Sequence, residues 1–557
     1  MTQEIEKLEL PQNELLFVPI GGATGVGMNC FAYGYQGKWL IVDLGIGFPD
    51  DNLPGVDCLL PDVCFLKERK EDIVGLVITH AHEDHIGAIG YLWRDLNCPI
   101  YCTAFAKELI ENKLAEEGLL GRVELCQVPQ GGVVDLFPFS VEFISMTHSI
   151  PEPNALAIRT DRGMVIHTGD WRFEDKKDEN YTDYETLKSL GKEGVLAAVC
   201  TSTNTSEEKV QASESDVKES LSKLVAEYPE NQIAIGCFAS NVRRMESIYW
   251  AAHENGREVC LLGRSLWRVD AAARACGYFK DIPEFLSESE ALEKPSNKVL
   301  YMCTGSQGER FSALNNLAAL TPNPHGVIFG KDDVVIFSSS VIPGNEKAID
   351  FLQKRLQSKG IRIITERNAL VHISGHYAGN DLEKMYKMLK PHIVLPIHGD
   401  TLNLNCHAQM VKEMGIPYVF TLNDGEMIVL KDKPEILGEV PSGILAVDGK
   451  QIIPLHADVI KKRRKMMDEG TVVLTLVVNK KAQLMGEVQL SSFGLLDDSE
   501  ELKAELVQNI HQALAEIETT RLEDDNLIKD KMRHTIRTFM NAKFGKKPLM
   551  DIHLIRI

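Results

Sequence analysis

No CxxC pair occurs in the 557 residues, although twelve cysteines are scattered from Cys30 to Cys406. Without such pairs or disulfide-like spacing, reduced thiols in a cytoplasmic protein are the expectation. No uninterrupted apolar stretch approaches the ~20 residues of a membrane span, so no membrane partner is expected. The start, MTQEIEKLELPQ, lacks the apolar core of a signal peptide. Basic residues are in deficit, with 60 Lys and Arg against 80 Asp and Glu and a formal net charge of -20. That balance excludes nucleic-acid binding by bulk attraction and leaves only a local basic groove, or metals that offset the acid. No internal repeat and no low-complexity tract is visible, which excludes repeat architectures.

The composition is that of an ordinary globular protein, 44% hydrophobic and 25% charged, and the length predicts two to four domains. Within it, Ile73 to Ile78 reads as a short buried strand leading into His80-Ala81-His82-Glu83-Asp84-His85. Three histidines and an aspartate in six residues are costly to bury and have no packing role. Imidazole nitrogen and carboxylate oxygen are ligands for borderline metals such as zinc, and tight spacing lets one loop supply several.

Similar placements recur down the chain. Val141 to Met146 ends in Thr147-His148-Ser149, and Met164 to Ile166 ends in His167-Thr168-Gly169-Asp170. The repetition marks His148 and Asp170 as ligands, whereas His167 lies on its strand and is expected to pack. Trp39 to Val42 ends at Asp43, either a strand-end cap or a carboxylate orienting a metal-bound histidine. Gly21 to Gly27 follows a strand from Leu15 to Ile20 but lacks the lysine and hydroxyl of a phosphate loop, so it reads as a tight turn. From about residue 210 a fresh α/β alternation begins, with strands at Gln232 to Phe238, Glu258 to Leu262, Val299 to Cys303 and Val334 to Ser338. Their ends carry small hydroxyl and glycine residues suited to phosphate oxygens. His372-Ile373-Ser374-Gly375-His376 follows what reads as a strand, and Ile393 to Ile397 ends in His398. A ligand so late in the chain implies that the first domain resumes after an insertion. The tail reads as strand, two amphipathic helices (Glu500 to Glu518, Asp524 to Ala542) and strand. The run Lys461 to Lys465 is the most basic stretch, either a solvated face or a binding surface.

The series Asp43, His80-x-His82-x-Asp84-His85, His148, Asp170 and His398 resembles the metallo-β-lactamase motif set. The insertion and His376 resemble its β-CASP branch. Within that branch ITHAHEDHIGAI, THSIP, VIHTGDW, CFASN, CTGSQGE, HISGH and PIHGD are similar to the bacterial ribonuclease J family. The resemblance implies an αββα sandwich in residues 1–210 and 366–440, an inserted α/β domain in 211–365 and a C-terminal α/β domain in 450–557 that pairs chains into a homodimer or homotetramer. It implies two Zn2+, with Mn2+ or Mg2+ as alternatives, His80, His82 and His148 holding one, Asp84, His85 and His398 the other, and Asp170 bridging. His376, Asp84 and Asp170 would be catalytic, with a two-metal-activated hydroxide attacking phosphorus. Ser240, Asn241 and His372 to His376 (Ile373, Ser374 and Gly375 included) would seat the upstream nucleotide and 5′-monophosphate of single-stranded RNA. Exonucleolytic and endonucleolytic cutting in RNA maturation and decay, alongside RNA-decay or ribosome-associated proteins, would follow. One departure is Thr201-Ser202-Thr203-Asn204, where the family has an acid first; the loss would weaken support of a nearby histidine. Two rivals remain at this point: a small-molecule metallo-hydrolase and a weakly active or non-catalytic RNA-binding paralogue.

Overall fold

The computed structural model describes residues 10–174, 182–207, 212–319, 326–342, 344–479, 483–495, 499–517 and 524–557. Most of MTQEIEKLELPQ, the expected boundary at 210 and 211 and the expected helix end at Glu518 lie outside these residues. Two compact units form, Met1–Phe48 with Leu59–Ile444, and Pro49–Cys58 with Leu445–Ile557.

In the first unit two sheets face each other. One has eight strands, with Leu15–Gly21, Cys30–Tyr35, Lys38–Val42 and Ile73–Val77 at its centre. The other has seven, running Ile393–Ile397, Ala197–Thr201, Gly163–His167, Asn154–Thr160 and Phe139–Ser145 through its middle. Alternate residues meet between them: Phe17, Tyr33, Leu40 and Val77 from one side, Val141, Leu156, Val165, Val199 and Leu395 from the other. The intervening residues Ile144, Ala157, Ile166, Ala198 and Val394 point the opposite way, under helices Tyr184–Glu193 and Gly379–Leu389. Both faces of these strands are therefore buried, which is why they read as continuous apolar runs rather than alternating ones. The two helices approach so closely that a Cβ on Gly191 would sit 1.9 Å from the Met388 carbonyl oxygen. His167 packs in the sandwich as expected, its ring 5.0 Å from that of Phe31 and its Nδ1 2.9 Å from the Tyr33 hydroxyl.

The insertion builds its own parallel sheet in the order Glu258–Leu262, Val299–Cys303, Ile233–Gly236, Val334–Phe337, Arg362–Ile364. Ile233–Gly236 is central, so its carboxyl end, running into Ser240 and Asn241, lies between those of its neighbours, where α/β sheets usually place a ligand crevice. The expected strand before His372 is shorter and earlier than the sequence suggested. It ends at Ile364, and residues 365–378 form a loop.

In the second unit Thr471–Val478 pairs antiparallel with Gln489–Phe493 and parallel with Leu549–Arg556. Helices Glu500–Ala515 and Asp525–Phe544 cover one face through Leu506, Ile510, Ile528, Met532 and Ile536. The other face carries Val473, Val477, Phe493 and Ile555, the last two 64% and 48% exposed.

Candidate metal centre

Four strand ends and one loop of the sandwich meet at a single edge. Ile73–Val77 leads into His80 and His82, then into a one-turn helix, Glu83–Ile86, that carries Asp84 and His85. Phe139–Ser145 leads to His148, Gly163–His167 to Asp170 and Ile393–Ile397 to His398. Their donor atoms form two adjoining groups, His80 with His82 and His148, and Asp84 with His85, Asp170 and His398. Within each group all donors lie within 4.8 Å of one another. A third overlapping group joins His148, Asp170 and His376.

Hydrogen bonds behind the ligands decide which nitrogen faces inward. His148 Nδ1–H donates to the Gly375 carbonyl at 2.6 Å, leaving Nε2 to converge on His82 Nδ1 at 3.0 Å. His80 Nε2 approaches the same His82 atom at 3.1 Å while its Nδ1 rests against the Thr79 hydroxyl. His85 Nδ1–H donates to Asp43 Oδ2 at 2.7 Å, and Asp43 also accepts from the Thr79 amide and hydroxyl. Asp43 thus acts on His85 from behind, and is more than a strand-end cap.

Electrostatics separate the two groups. Burial pushes His80 and His148 well below the ordinary histidine range and His82 down to about 4, so the first group is three neutral imidazoles with lone pairs converging. Burial acts likewise on His85 and His398, but Asp84, Asp43 and Asp170 together outweigh it at His85 and raise it well above its usual value. Asp170 and Asp84 raise His398 to about 9. Burial also opposes ionisation of Asp84 and Asp170, yet neighbouring imidazoles hold both carboxyls low. Nε2 of His398 is buried with no hydrogen-bond partner among the described residues. Imidazole-rich donors, inward lone pairs and an orphaned nitrogen fit divalent cations of the zinc type.

Backbone geometry is bent to this end. Asp43 and His398 both take left-handed conformations, φ 61° and 52°, which cost of the order of 1–3 kcal/mol each where structure enforces them. A Cβ on Gly45 would lie 1.6 Å from the Asp84 carbonyl oxygen, so only glycine permits that approach. Asn29, just past the glycine-rich turn, had no part in the sequence reading. It is fully buried, and its Nδ2 lies 3.1 Å from His85 Nε2 and 3.4 Å from Asp84 Oδ2. A polar residue between the glycine-rich turn and the start of the next strand was the available signal.

The His372–His376 loop roofs the first group. A Cβ on Gly375 would come within 2.9 Å of both Cε1 and Nδ1 of His148. Arg244, almost wholly buried, clamps the loop from the inserted domain: it donates to the Val371 carbonyl, Ser338 and His372 Nδ1 and ion-pairs with Glu214. Arg172 adds a bond to the Ser374 carbonyl at 2.7 Å. Neither arginine was singled out from sequence. Ser374 Oγ accepts from Asn204 and from the His376 amide, while His372 and Ile373 are buried. Asn241 caps helix Val242–Glu254 by accepting from the Arg244 amide, and Ser240 is partly exposed beside it. Thr201 Oγ1 pairs with Thr203 Oγ1 at 3.1 Å, and Nδ1 of His376 makes no hydrogen bond among the described residues but lies 3.8 Å from Asp170 Oδ2.

The neighbouring carboxylates favour the charged forms of His85 and His398, so an entering cation competes with protons at these two imidazoles. A group raised above neutrality competes with metal below its own pKa, so apparent affinity should climb as pH rises toward 9. Titration of Zn2+ into chelator-stripped protein, followed calorimetrically in buffers of different ionisation enthalpy, should show proton release at pH 7. Absence of release would contradict this charge assignment. His80→Ala combined with His82→Ala should lower the metal bound per chain while leaving the circular dichroism unchanged, because these side chains lie at a sheet edge and not in the core.

Comparison with known proteins follows the same division of the chain. Residues 23–199 match the metallo-beta-lactamase superfamily and residues 360–420 the Zn-dependent metallo-hydrolase RNA specificity domain. Residues 230–356 match the ribonuclease J beta-CASP domain and residues 458–557 the ribonuclease J C-terminal domain. Ribonuclease J of Sinorhizobium meliloti is 39% identical across 98% of both chains. Ribonuclease J 1 of Streptococcus pyogenes is 34% identical across 86% of both, and ribonuclease J of Mycolicibacterium smegmatis 33% identical across 97% of this chain and 96% of its own. A solved protein of unknown function from Enterococcus faecalis shares the fold, with a TM-score of 0.53 at 19% identity over 75% of this chain and 100% of its own. With four domain matches in order and full-length relatives above 30% identity, this chain belongs to the ribonuclease J family of metal-dependent ribonucleases.

Proposed function

We propose that the chain hydrolyses single-stranded RNA from 5′-monophosphate ends in the 5′-to-3′ direction, and also cuts internally, with two zinc ions in the Asp170-centred cluster. The observation that carries this reading is the pair of adjoining donor groups roofed by the His372–His376 loop. When bound, the cations supply water activation and charge neutralisation for in-line displacement at phosphorus. His80, His82 and His148 would hold one, and Asp84, His85 and His398 the other, with Asp170 between. Asp43 and Asn29 keep His85 and Asp84 turned inward.

The chain's own residues divide the remaining work. His376, a quarter exposed above Asp170, is placed to donate to a phosphate oxygen or to the leaving group. Ser240, Asn241 and the loop's Ser374 and backbone would seat the upstream nucleotide and its 5′-phosphate, with Arg244 and Arg172 fixing the loop's position. Such a seat favours a monophosphate, since a hydroxyl leaves it empty and a triphosphate overfills it. RNAs that differ only at the 5′ end, compared in single-turnover digestion, should separate by roughly 10- to 100-fold, the worth of one or two charge-assisted hydrogen bonds. Equal rates on monophosphate, hydroxyl and triphosphate ends would remove the seat.

A slow enzyme is the second reading, favoured by a His376 Nδ1 that accepts or donates no hydrogen bond among the described residues and by the uncharged Thr201. Burial lowers the His376 pKa, so less of it is protonated at neutral pH. A carboxylate at 201 would favour the charged form and raise that pKa. Thr201→Asp should then increase turnover and move the alkaline limb of the pH–rate profile upward. An unchanged profile would exclude position 201 from proton transfer.

The exposed sheet face of the second unit supports pairing of chains through the C-terminal region. Phe493→Glu with Ile555→Glu should reduce the mass in light scattering to that of one chain. A mass that stays at two or four chains would place the interface elsewhere.

A further inference from the structure

The densest basic run of this acidic chain is left unused by the chemistry above. Lys461–Lys465 lies on helix Asp458–Glu469, in which Ile460 is the one buried residue. At 100° per residue, Lys461, Lys462 and Lys465 fall on the side away from Ile460. The two arginines are tied down: Arg463 ion-pairs with Asp448 at 2.8 Å, and Arg464 Nε donates to the Asn52 carbonyl at 3.0 Å. Lys461 reaches Asp458 only at 3.7 Å, and Lys462 and Lys465 meet no acid among the described residues.

The fold adds cations from far along the chain. Lys546 Nζ donates to the Asp468 carbonyl, and the Lys547 amide donates to Glu469, at the helix's C-terminal end. Lys547 Nζ is left for solvent, and Met466 and Met467 stand 45% and 53% exposed alongside. Two basic segments about eighty residues apart thus converge on one surface of the second unit. Residues 445–557 carry Lys and Arg in near balance with Asp and Glu, so the chain's excess of acid lies in residues 1–444. A polyanion repelled elsewhere meets no such repulsion here.

We propose that Lys461, Lys462, Lys465 and Lys547 bind the phosphate backbone of single-stranded RNA without reading its sequence. The inference rests on the ribonuclease reading above. Lysine suits the task, because a mobile point charge follows a flexible backbone without demanding a fixed geometry. The helix lacks the Trp, Phe and Leu face of a membrane-surface helix. It also lacks the buried aromatic anchors of a protein interface. Exposed Met466, four residues on from Lys462, adds soft, adaptable contact for bases of any sequence.

The test uses the full-length, metal-loaded protein carrying Lys461→Gln, Lys462→Gln, Lys465→Gln and Lys547→Gln. Binding of a nuclease-resistant 2′-O-methyl RNA is followed by fluorescence anisotropy from roughly 50 to 200 mM salt. Single strands give a slope of ~0.7 per neutralised phosphate, so the log–log salt slope should fall by about 2 to 3, with at least tenfold weaker binding at low salt. Turnover of a saturating 5′-phosphorylated dinucleotide should stay at the wild-type value. An unchanged affinity and slope would overturn the proposal. So would unchanged RNA binding together with lost binding to phosphatidylserine vesicles, which would make the surface a lipid face. If the wild-type protein neither binds nor cleaves RNA, the ribonuclease reading itself fails. A wild type that does both, beside a variant that binds equally well, sinks only this inference.

Discussion

Two carboxylates and five imidazoles share one buried edge of the sandwich, and their charges must cancel for the fold to exist. Isolated buried charges cost several kcal/mol each, so such a set is stable only when its members neutralise one another or a cation. Asp43, Asp84 and Asp170 favour the charged form of His85, and Asp170 and Asp84 that of His398, so imidazole and carboxylate offset each other. Around them the left-handed Asp43 and His398, the Cβ-less Gly45 and the buried Asn29 are local concessions to that arrangement. The hydrophobic sandwich supplies the rigidity that holds them in place. Its strands, buried on both faces, cannot slip by one residue without exchanging the row that fits the facing sheet with the row that fits the covering helices.

The His372–His376 loop is one link between the inserted domain and this edge. Arg244 reaches from the start of helix Val242–Glu254 to the loop's backbone and to His372, and Glu214 holds the guanidinium from the other side. Gly375 in turn accepts from His148, so a ligand's tautomer and the position of the roof are coupled by a single hydrogen bond. A change in how the loop sits would be felt at the metal cluster, and loss of a cation would be felt in the loop.

The turn Thr201–Asn204 is the second junction. Thr203 donates to the His398 carbonyl, Asn204 to Ser374, and Tyr377 to the Thr201 carbonyl. Behind it a fully buried chain links Ser202 Oγ to His407 Nδ1 at 2.7 Å, and His407 Nε2 to the Tyr386 hydroxyl at 2.6 Å. Every polar atom there is satisfied, as a buried network must be to rigidify rather than destabilise. The turn therefore keeps a structural task although it begins with threonine rather than an acid.

The candidate ligands stood out in the sequence because several of them follow shortly after an apolar run, where a strand must end near the sheet edge. His80, His148, Asp170 and His398 share that placement, and the strands themselves were visible because burial on both faces demands unbroken apolar sequence. The His372–His376 loop was found by composition, but the strand expected before it was not there. Its position is held by Arg244, through the His372 side chain 128 residues away, and by Arg172, through the Ser374 carbonyl 202 residues away. Asn29, the pairing of Thr201 with Thr203, and the meeting of Lys461–Lys465 with Lys546 and Lys547 were likewise decided only by tertiary structure. Periodicity records which side of an element is apolar. It carries no record of which distant polar group a folded chain brings within 3 Å, because that depends on how whole elements pack.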